Sequence, residues 1–349
     1  MSSLSPMLPL RHRQFDFFIA DIFDNVPIKD EMITMEHPFF SLGTRPDLKK
    51  LTYEQGDNRV DVIPSSLGMP TIFDKDILLY CGSAVMREIR EGRQPSRTLR
   101  TSPLDILVVS NREKNGKAYK TLLDGFNRLR GCTINTTFGS EGNTKGFGFI
   151  EDFEIIRSQR VKGRITGLNV TLSKWYYESI IAQNVLTIHP EYFQIRKSID
   201  RRFYEIARKH CGRKREWAIS LEKLHKKTGS RSALKKTRFN VRELVKSNHL
   251  PEYLVSFNAE KDMVRFRYRG KVKASTEEQT DLFGDTPPKI PAQIPPDLLD
   301  DVRKVVGVGA DYYQLWDEWK NWKGSKNAQD MRGAFIGFCQ TKVAKMMRA

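Results

Sequence analysis

The sequence contains no apolar run approaching the roughly 18 residues that a membrane-spanning helix requires. Its first residues lack the charged start and sustained apolar stretch of a signal peptide. Cysteine is scarce, and no two of the four cysteines have CxxC spacing: they are Cys81, Cys132, Cys211 and Cys339. These features argue against a membrane protein, a disulfide scaffold and a zinc site, and they predict reduced, buried thiols in a cytoplasmic protein.

Motifs that carry catalysis are also missing. The histidines include no His-x-His or His-x-x-x-His pair, which a nicking enzyme would place as a metal cluster near a tyrosine nucleophile. No glycine-rich loop ends in a phosphate-binding lysine, and the GVGAD stretch at Gly307 lacks the next glycine of a dinucleotide-binding loop. His210 and Cys211 are adjacent but have no further partners, so we expect both to be structural. The sequence therefore predicts no enzymatic activity, no cofactor and no metal.

Positive charge, by contrast, is abundant and is concentrated in one part of the chain. The 349 residues include 59 lysines and arginines against 42 aspartates and glutamates, a formal net charge of +17. Residues 196–247 hold 18 basic and 5 acidic side chains, and residues 261–273 hold 6 basic and 1 acidic. Residues 16–36 are acidic, with six carboxylates and one lysine. A basic surface in one module favours a polyanionic partner, and nucleic acid is favoured over an anionic membrane.

Residues 37–188 show predicted helices followed by predicted strands. Apolar spacing predicts one helix beginning at Asp74 as its N-cap, a second with Ser102 at its cap, and a third between Gly116 and Gly131. The stretches CTINTTF and FGFIEDFEIIRSQ then predict two strands joined by the flexible turn GSEGNTKG. The stretch RITGLNVTLS continues as a strand, and SKWYYESIIAQNV returns to helix.

The same order of elements recurs in residues 189–273. Three helices are predicted, in IDRRFYEIARKHCG, REWAISLEKLHKKTG and SRSALKKTRFNVRELVKSNHL. The stretch EYLVSFNAEKDMVRFRYRG predicts a β-hairpin with NAEKD as its turn. Three helices and a hairpin are the elements of a winged helix, so we predict an α+β chain with two tandem winged-helix domains.

Three further segments complete the predicted organisation. Residues 1–36 have little periodicity and are assigned to an N-terminal extension. Residues 274–296 are acidic and proline-rich, as expected of a flexible linker. Residues 297–349 predict a small helical C-terminal module, in which three tryptophans at helical spacing are expected to form a packing face: Trp316, Trp319 and Trp322.

One predicted helix of the second module, residues 231–246, carries a stripe of basic residues. Its apolar residues share one face, and five basic residues fall in an arc of about 80° beside it: Arg231, Lys235, Arg238, Arg242 and Lys246. Like charges four residues apart repel each other, and nearby phosphates would relieve that repulsion. We therefore predict that this helix enters the major groove and that the next strand adds basic residues at period two. The candidate DNA-binding residues of this module are Arg231, Lys235, Lys236, Arg238, Arg242, Lys246, Arg265, Arg267 and Arg269.

The first module has a weaker candidate surface on the helix between Gly116 and Gly131. Asp124 lies among its polar residues and reduces the positive charge of that face. The candidate DNA-binding residues here are Lys117, Lys120, Asn127 and Arg128. For both modules, the alternative interpretation is a basic surface that is only solvated.

Several long stretches resemble the replication initiator protein A family of bacterial plasmids. They are DIFDNVPIKDEMITMEHPFFSL, RPDLKKLTYEQGDNRVDVIPSSLGMPTIFDKDILLYC, SRTLRTSPLDILVVSNR, GKAYKTLLDGFNRLRGCTINT, NHLPEYLVSF and FIGFC. The resemblance implies a tandem winged-helix initiator that binds repeated double-stranded origin sites (iterons) and has no nuclease or ATPase of its own. It further implies that the protein promotes origin opening, recruits host helicase, initiator or polymerase components, and could form a homodimer.

The linker contains the pentapeptide QTDLF, which resembles the motif by which bacterial replication proteins bind the sliding clamp. The matching residues are Gln279, Asp281, Leu282 and Phe283, whereas Thr280 departs from the leucine that is common at the second position. An extended peptide could place leucine and phenylalanine in an apolar pocket while glutamine makes polar contacts. In the alternative interpretation, the two apolar residues attach the linker to a domain.

The leading functional hypothesis is a plasmid replication initiator that acts in the cytoplasm on origin DNA. A sequence-specific transcriptional repressor could use the same winged helices only to occupy an operator. A nuclease or relaxase is the weakest alternative, since the metal ligands it needs are missing.

Overall fold

The computed structural model describes residues 5–12, 27–55, 58–137, 143–160, 165–270, 298, 302, 315, 316, 318, 319 and 331–346. The chain divides into two compact units, Met1–Val272 and Lys273–Ala349. The first unit contains both winged helices. None of the helices in the described part of the chain combines the length and the apolar composition that crossing a bilayer requires.

The first unit opens with β1 (Lys29–Glu31) and α1 (Met32–Glu36), in a region that we expected to be an extension. Strand β1 pairs antiparallel with β9 (Val185–Thr187), which closes a two-stranded sheet. The side chains of Asp30 and Glu31 are fully buried. The described part of this acidic stretch, residues 27–36, is therefore an integral part of the unit.

The first winged helix follows the order helix, strand, helix, helix, strand, strand. Its elements are α2 (Lys75–Arg90), β4 (Thr98–Thr101), α3 (Pro103–Val109), α4 (Gly116–Gly131), β7 (Ile150–Arg157) and β8 (Ile165–Leu172). The sheet has the order β4-β8-β7, so the last strand lies between the other two. Strands β5 (Thr133–Thr136) and β6 (Lys145–Phe147) are inserted between α4 and β7, and helix α5 (Lys174–Ile181) follows β8.

The helix starts of this domain largely agree with the sequence predictions. Ser102 Oγ accepts a hydrogen bond from the Asp105 amide at 3.1 Å, which confirms the predicted cap of α3. Asp74 does not cap α2 with its side chain, although the helix begins at the next residue as predicted. Its carboxylate instead accepts from the Thr71 amide at 2.7 Å and from Arg128, because Arg128 approaches from α4.

The predicted strand pairing of this domain is partly wrong. The predicted strand at residues 147–159 is divided between two sheets: its start belongs to β6, which pairs with β5, and the rest is β7, which pairs with β8. Strands β5 and β6 join β2 (Leu51–Gln55) and β3 (Asn58–Ile63) in a separate sheet of order β2-β3-β5-β6. Strand propensity marks extended segments but not their partners, so the sequence did not show this division.

The second winged helix repeats the same order and the same strand arrangement. Its elements are α6 (Ser198–His210), β10 (Glu216–Ser220), α7 (Leu221–Thr228), α8 (Leu234–Ser247), β11 (Tyr253–Asn258) and β12 (Met263–Tyr268). The sheet order β10-β12-β11 matches β4-β8-β7 element for element. This correspondence confirms the predicted α+β fold with two tandem winged helices.

One predicted helix of this domain begins too early. Residues 216–220 form strand β10, in which Trp217 lies opposite Phe266 of β12. Ser220 then caps α7, since its Oγ accepts from the Lys223 amide at 3.3 Å. Strand β10 forms by pairing with β12, which lies far along the chain. The helical spacing of REWAISLEKLHKKTG could not reveal that partner.

A buried ionic network joins the two winged helices. Lys75 Nζ, at the start of α2, lies 2.8 Å from Asp30 Oδ2 and 3.2 Å from Glu205 Oε1 on α6. Next to it, Arg201 Nη1 on α6 lies 2.7 Å from Asp76 Oδ1 on α2. Charges removed from water need their partners in place, so this network holds α2 and α6 in one arrangement.

The second compact unit has its own aromatic cluster. Trp316 and Trp319 are buried, with ring centroids 5.2 Å apart, and Phe335 of α9 (Met331–Met346) lies 4.8 Å from Trp316. Two of the three predicted packing tryptophans therefore contribute to a core, as expected. Trp322, the linker at residues 274–296 and the QTDLF peptide lie outside the described residues.

Candidate nucleic-acid interface

Helix α8 occupies the position of the recognition helix in the second winged helix, and we use that name for it. It begins at Leu234, three residues later than predicted, so Arg231 lies in the turn before it. Thr237, Val241 and Leu244 are buried and attach the helix to the domain. Four of the predicted DNA-binding residues are exposed along its outer side: Lys235, Lys236, Arg242 and Lys246.

Arg231 has partners within the protein. Its Nε donates to Asp47 Oδ2 at 2.7 Å, and its Nη2 donates to the Lys50 carbonyl at 3.2 Å. The same turn packs on the first winged helix, since a Cβ on Gly229 (φ +67°) would lie 2.5 Å from Pro38 Cβ. The turn before the recognition helix is thus attached to residues 43–50, which we call segment 43–50.

Arg238 also has a partner, on the wing. Its Nη2 and Nε donate to the two carboxylate oxygens of Asp262 at 2.6 and 3.2 Å, which raises the pKa of the guanidinium. Asp262 lies in the hairpin turn between β11 and β12, as predicted from NAEKD. The pair links the outer side of α8 to the wing and orients one against the other.

The predicted period-two basic stripe on the wing holds for two of its three members. Val264 and Phe266 are buried, whereas Arg265 and Arg267 point to the opposite, exposed face of β12. Arg265 Nη1 lies 3.5 Å from Glu216 Oε1 on the neighbouring strand. Arg269 follows the strand, and its guanidinium donates to the Tyr253 carbonyl at 3.1 Å and to Asn248 Oδ1 at 3.1 Å.

The first winged helix presents a smaller set of cations. Lys117, Lys120 and Asn127 are exposed on α4, as the sequence indicated. Arg128 is half-buried, and its Nε and Nη2 each lie 2.8 Å from an oxygen of Asp74. This bidentate pair joins α4 to the start of α2, so a structural role accounts for Arg128.

Segment 43–50 lies beside both candidate helices. It faces the Lys117 and Thr121 side of α4 across a cleft of about 600 Å³, and Arg231 holds it next to α8. Arg45 and Lys49 are exposed on it, and Lys50 Nζ is 3.3 Å from Asp61 Oδ2. The sequence reasoning missed this segment, although the run RPDLKK carries three basic residues.

Apart from Arg269, whose guanidinium donates to Tyr253 and Asn248, the predicted cations therefore fall into two groups. Arg128, Arg231, Arg238, Lys246 and Arg265 have carboxylate partners in the structure. Another group has no salt bridge to any other described residue: Lys117, Lys120, Lys235, Lys236, Arg242 and Arg267. Phosphate groups would meet least internal competition at the second group.

The buried histidines and cysteines behave as core residues. Burial lowers the pKa of His210 to about 3, and its ring stacks on Trp217 with centroids 4.7 Å apart. All four cysteines are free and buried, and burial raises the pKa of the Cys81 thiol to about 12. Within the described ranges, no cluster of three histidine, cysteine or acidic side chains could hold a metal ion.

Comparisons with known proteins agree with this architecture. The family model for replication initiator protein A matches residues 29–255. A curated relative from Wigglesworthia glossinidia brevipalpis, described as "Putative replication protein", is 38% identical over 258 residues, covering 73% of this chain and 94% of the relative. A crystal structure of domains 2 and 3 of RctB is similar in fold, with a TM-score of 0.50, 13% identity, and coverage of 69% of this chain and 97% of the other.

The family match extends from β1 into β11 and so includes both winged helices except the end of β11 and strand β12. The relative that is 38% identical is matched over nearly its whole length. The chain therefore belongs to the replication initiator protein A family.

Proposed function

We propose that this chain initiates plasmid replication by binding repeated double-stranded DNA sites, or iterons, at a plasmid origin through both winged helices. The observation that supports this most is the arrangement of cations on the recognition helix and wing. Lys235, Lys236, Arg242 and Arg267 are exposed and have no carboxylate partner among the described residues. Their paired neighbour Arg238 holds the wing in register with the helix.

The strength of binding would come largely from phosphate contacts. Each lysine or arginine that neutralises a phosphate releases a counterion, so affinity falls steeply as salt rises. Base contacts would come from side chains of the recognition helix, where arginine pairs with guanine. Loss of a phosphate contact should weaken binding to every DNA sequence, whereas loss of a base contact should also relax the sequence preference.

Simultaneous binding by both domains requires a defined arrangement between them. The buried network around Lys75 and Arg201 joins α2 to α6, and segment 43–50 adjoins both α4 and the turn before α8. These contacts favour a rigid pair of readers over two independently tethered domains. A rigid pair would prefer sites whose half-sites have one fixed spacing.

Recruitment of host replication proteins is the second part of the proposal. The QTDLF peptide at Gln279–Phe283 would bind the sliding clamp, and the origin-bound protein would thereby bring the clamp, and with it other host components, to the opened DNA. The support for this step is the sequence of the peptide, with two large apolar residues in an acidic, proline-rich segment. A peptide of this kind orders on binding, at a cost in affinity.

A plasmid-maintenance experiment combined with footprinting tests the proposal. We expect the plasmid that carries this gene to be lost when the gene is deleted, and to be retained when the gene is supplied from a second replicon. Purified protein should then protect repeated sites in the origin. Protected repeats with unimpaired maintenance in the deletion strain would instead indicate an operator-binding repressor.

A further inference from the structure

Phe239 lies exposed in the middle of the recognition helix. Its relative exposure is 51%, whereas the helix is attached to the domain by buried Thr237, Val241 and Leu244. At 100° per residue, Phe239 lies about 170° around the helix from the centre of that buried face. A large apolar ring is therefore among the side chains that point most directly away from the protein, beside Lys246.

The surroundings of the ring are cationic. Lys236 Nζ lies 4.6 Å from the ring centroid, a cation–π contact within the helix. Lys235 precedes Phe239 by four positions and Arg242 follows it by three, so both lie on the same side of the helix. Positive side chains on both sides of the ring match a polyanion better than an apolar protein surface.

The floor of the major groove offers one apolar group to such a ring. Thymine carries a 5-methyl group there, and no other base of unmodified DNA has one. Lysine and arginine side chains flanking the ring could reach phosphates on either side of the groove while the ring approaches the bases. An aromatic residue on the outward side of the helix is placed for that contact.

We propose that Phe239 contacts the 5-methyl group of a thymine and so contributes to the sequence preference of the protein. This inference rests on the proposed function, because it requires that α8 enters the major groove of the origin sites. It assigns the apolar part of recognition to Phe239 and leaves phosphate attraction to its basic neighbours.

The experiment compares thymine with uracil, which lacks only the 5-methyl group. The plasmid origin fragment is amplified with dTTP or with dUTP, and the Kd of the full-length protein is measured for both at one salt concentration. For the wild type, we expect binding to the uracil fragment to be weaker by about fourfold, the effect of removing one buried methyl-sized contact. For Phe239→Ala, we expect weaker binding to the thymine fragment and a ratio near one.

Two further variants separate this contact from other causes. Lys235→Ala should weaken binding to both fragments by the same factor and keep the wild-type ratio, since a phosphate contact is independent of the base methyl group. Phe239→Leu should keep part of the ratio because it keeps an apolar side chain. The thermal midpoint of Phe239→Ala should match the wild type, as expected for an exposed side chain.

The possible results distinguish the inference from the function it rests on. A wild-type ratio of one, or a ratio that Phe239→Ala leaves unchanged, would overturn the role of Phe239 while origin binding stands. Wild-type protein that shows no preference for the origin fragment over unrelated DNA would overturn the proposed function itself.

Discussion

Arg231 Nε donates a hydrogen bond to Asp47 Oδ2 at 2.7 Å, across 184 positions of sequence. This contact attaches the turn before the recognition helix to segment 43–50 of the first winged helix. It gives a predicted DNA-binding arginine a structural partner. Binding measurements can show whether Arg231 positions segment 43–50 or contacts a DNA phosphate.

Arg231→Ala should lower DNA affinity without changing its salt dependence. The Arg231 side chain is hydrogen-bonded to Asp47 and to backbone carbonyls, so its loss should displace segment 43–50. Because no phosphate contact is removed, the number of counterions released on DNA binding should stay the same. We expect the free energy of unfolding to fall by less than about 1 kcal/mol, since the pair is partly exposed to water. Binding titrations at several salt concentrations check this.

The matched control for Arg231 is Lys235→Ala. Lys235 is exposed on α8 and has no salt bridge to another described residue, so it is free to meet a phosphate. Its removal should make the slope of log affinity against log salt shallower by about 0.9. A comparable change of slope in Arg231→Ala would show that Arg231 contacts phosphate after all.

Arg242→Ala should weaken specific binding and relax the sequence preference. Arg242 is exposed on the recognition helix, and its guanidinium carbon lies 5.9 Å from the centroid of the Phe257 ring. Loss of a bidentate guanine contact costs about 1–3 kcal/mol. Selection of bound sequences by wild type and variant checks this, and an unchanged preference at every position would argue against base contact by Arg242.

Lys75→Met should destabilise the first unit strongly. It removes the cation between Asp30 and Glu205 and leaves both carboxylates buried with less compensation, which costs about 3–5 kcal/mol. Urea unfolding of wild type and variant measures the change. Lys174→Met, at an exposed position at the start of α5, is the matched control and should stay within about 0.5 kcal/mol of wild type. A similarly small loss in Lys75→Met would mean that water reaches the network.

Much of the fold could be predicted from local signals. The helix between Gly116 and Gly131 has the predicted bounds. Of the four residues on its predicted apolar face, Leu122, Phe126 and Leu129 are buried, and Ala118 is partly buried. Ser102 caps α3 as expected, because a capping residue acts over three positions. Repeated helix–hairpin order was enough to predict two winged helices.

The errors concern contacts between distant residues. Strand β10 needs β12, and the Arg128–Asp74 pair joins two residues that are 54 positions apart. No local pattern marks either contact. For the same reason, the sequence predicted which helix and strand faces carry the basic residues, but it did not show which of these residues form salt bridges within the protein. Phe239 follows Arg238 in this basic segment, and a pattern of charges does not single out an apolar side chain.

His210 predicts a pH dependence of stability with a definite sign. Burial lowers its pKa from 6.5 to about 3 in the folded protein. Between these values the unfolded chain binds more protons than the folded one, so stability rises with pH and is lost as the pH falls. His210→Phe keeps a ring on Trp217 and should make the slope shallower by up to about 1.4 kcal/mol per pH unit. Parallel stability curves from pH 4 to 6 would contradict this.

Leu282→Ala/Phe283→Ala should abolish capture of the bacterial sliding clamp. Both side chains would leave water on binding, and burying two such groups contributes enough to change Kd by at least about 100-fold. The measurement is a pull-down of purified clamp by the full-length protein, followed by titration. Ile290→Ala/Ile294→Ala is the matched control, since it removes two apolar side chains from the same acidic segment outside the pentapeptide. Equal capture by wild type and both double variants would refute clamp binding through QTDLF. Loss in both variants would instead point to a general apolar role of the segment.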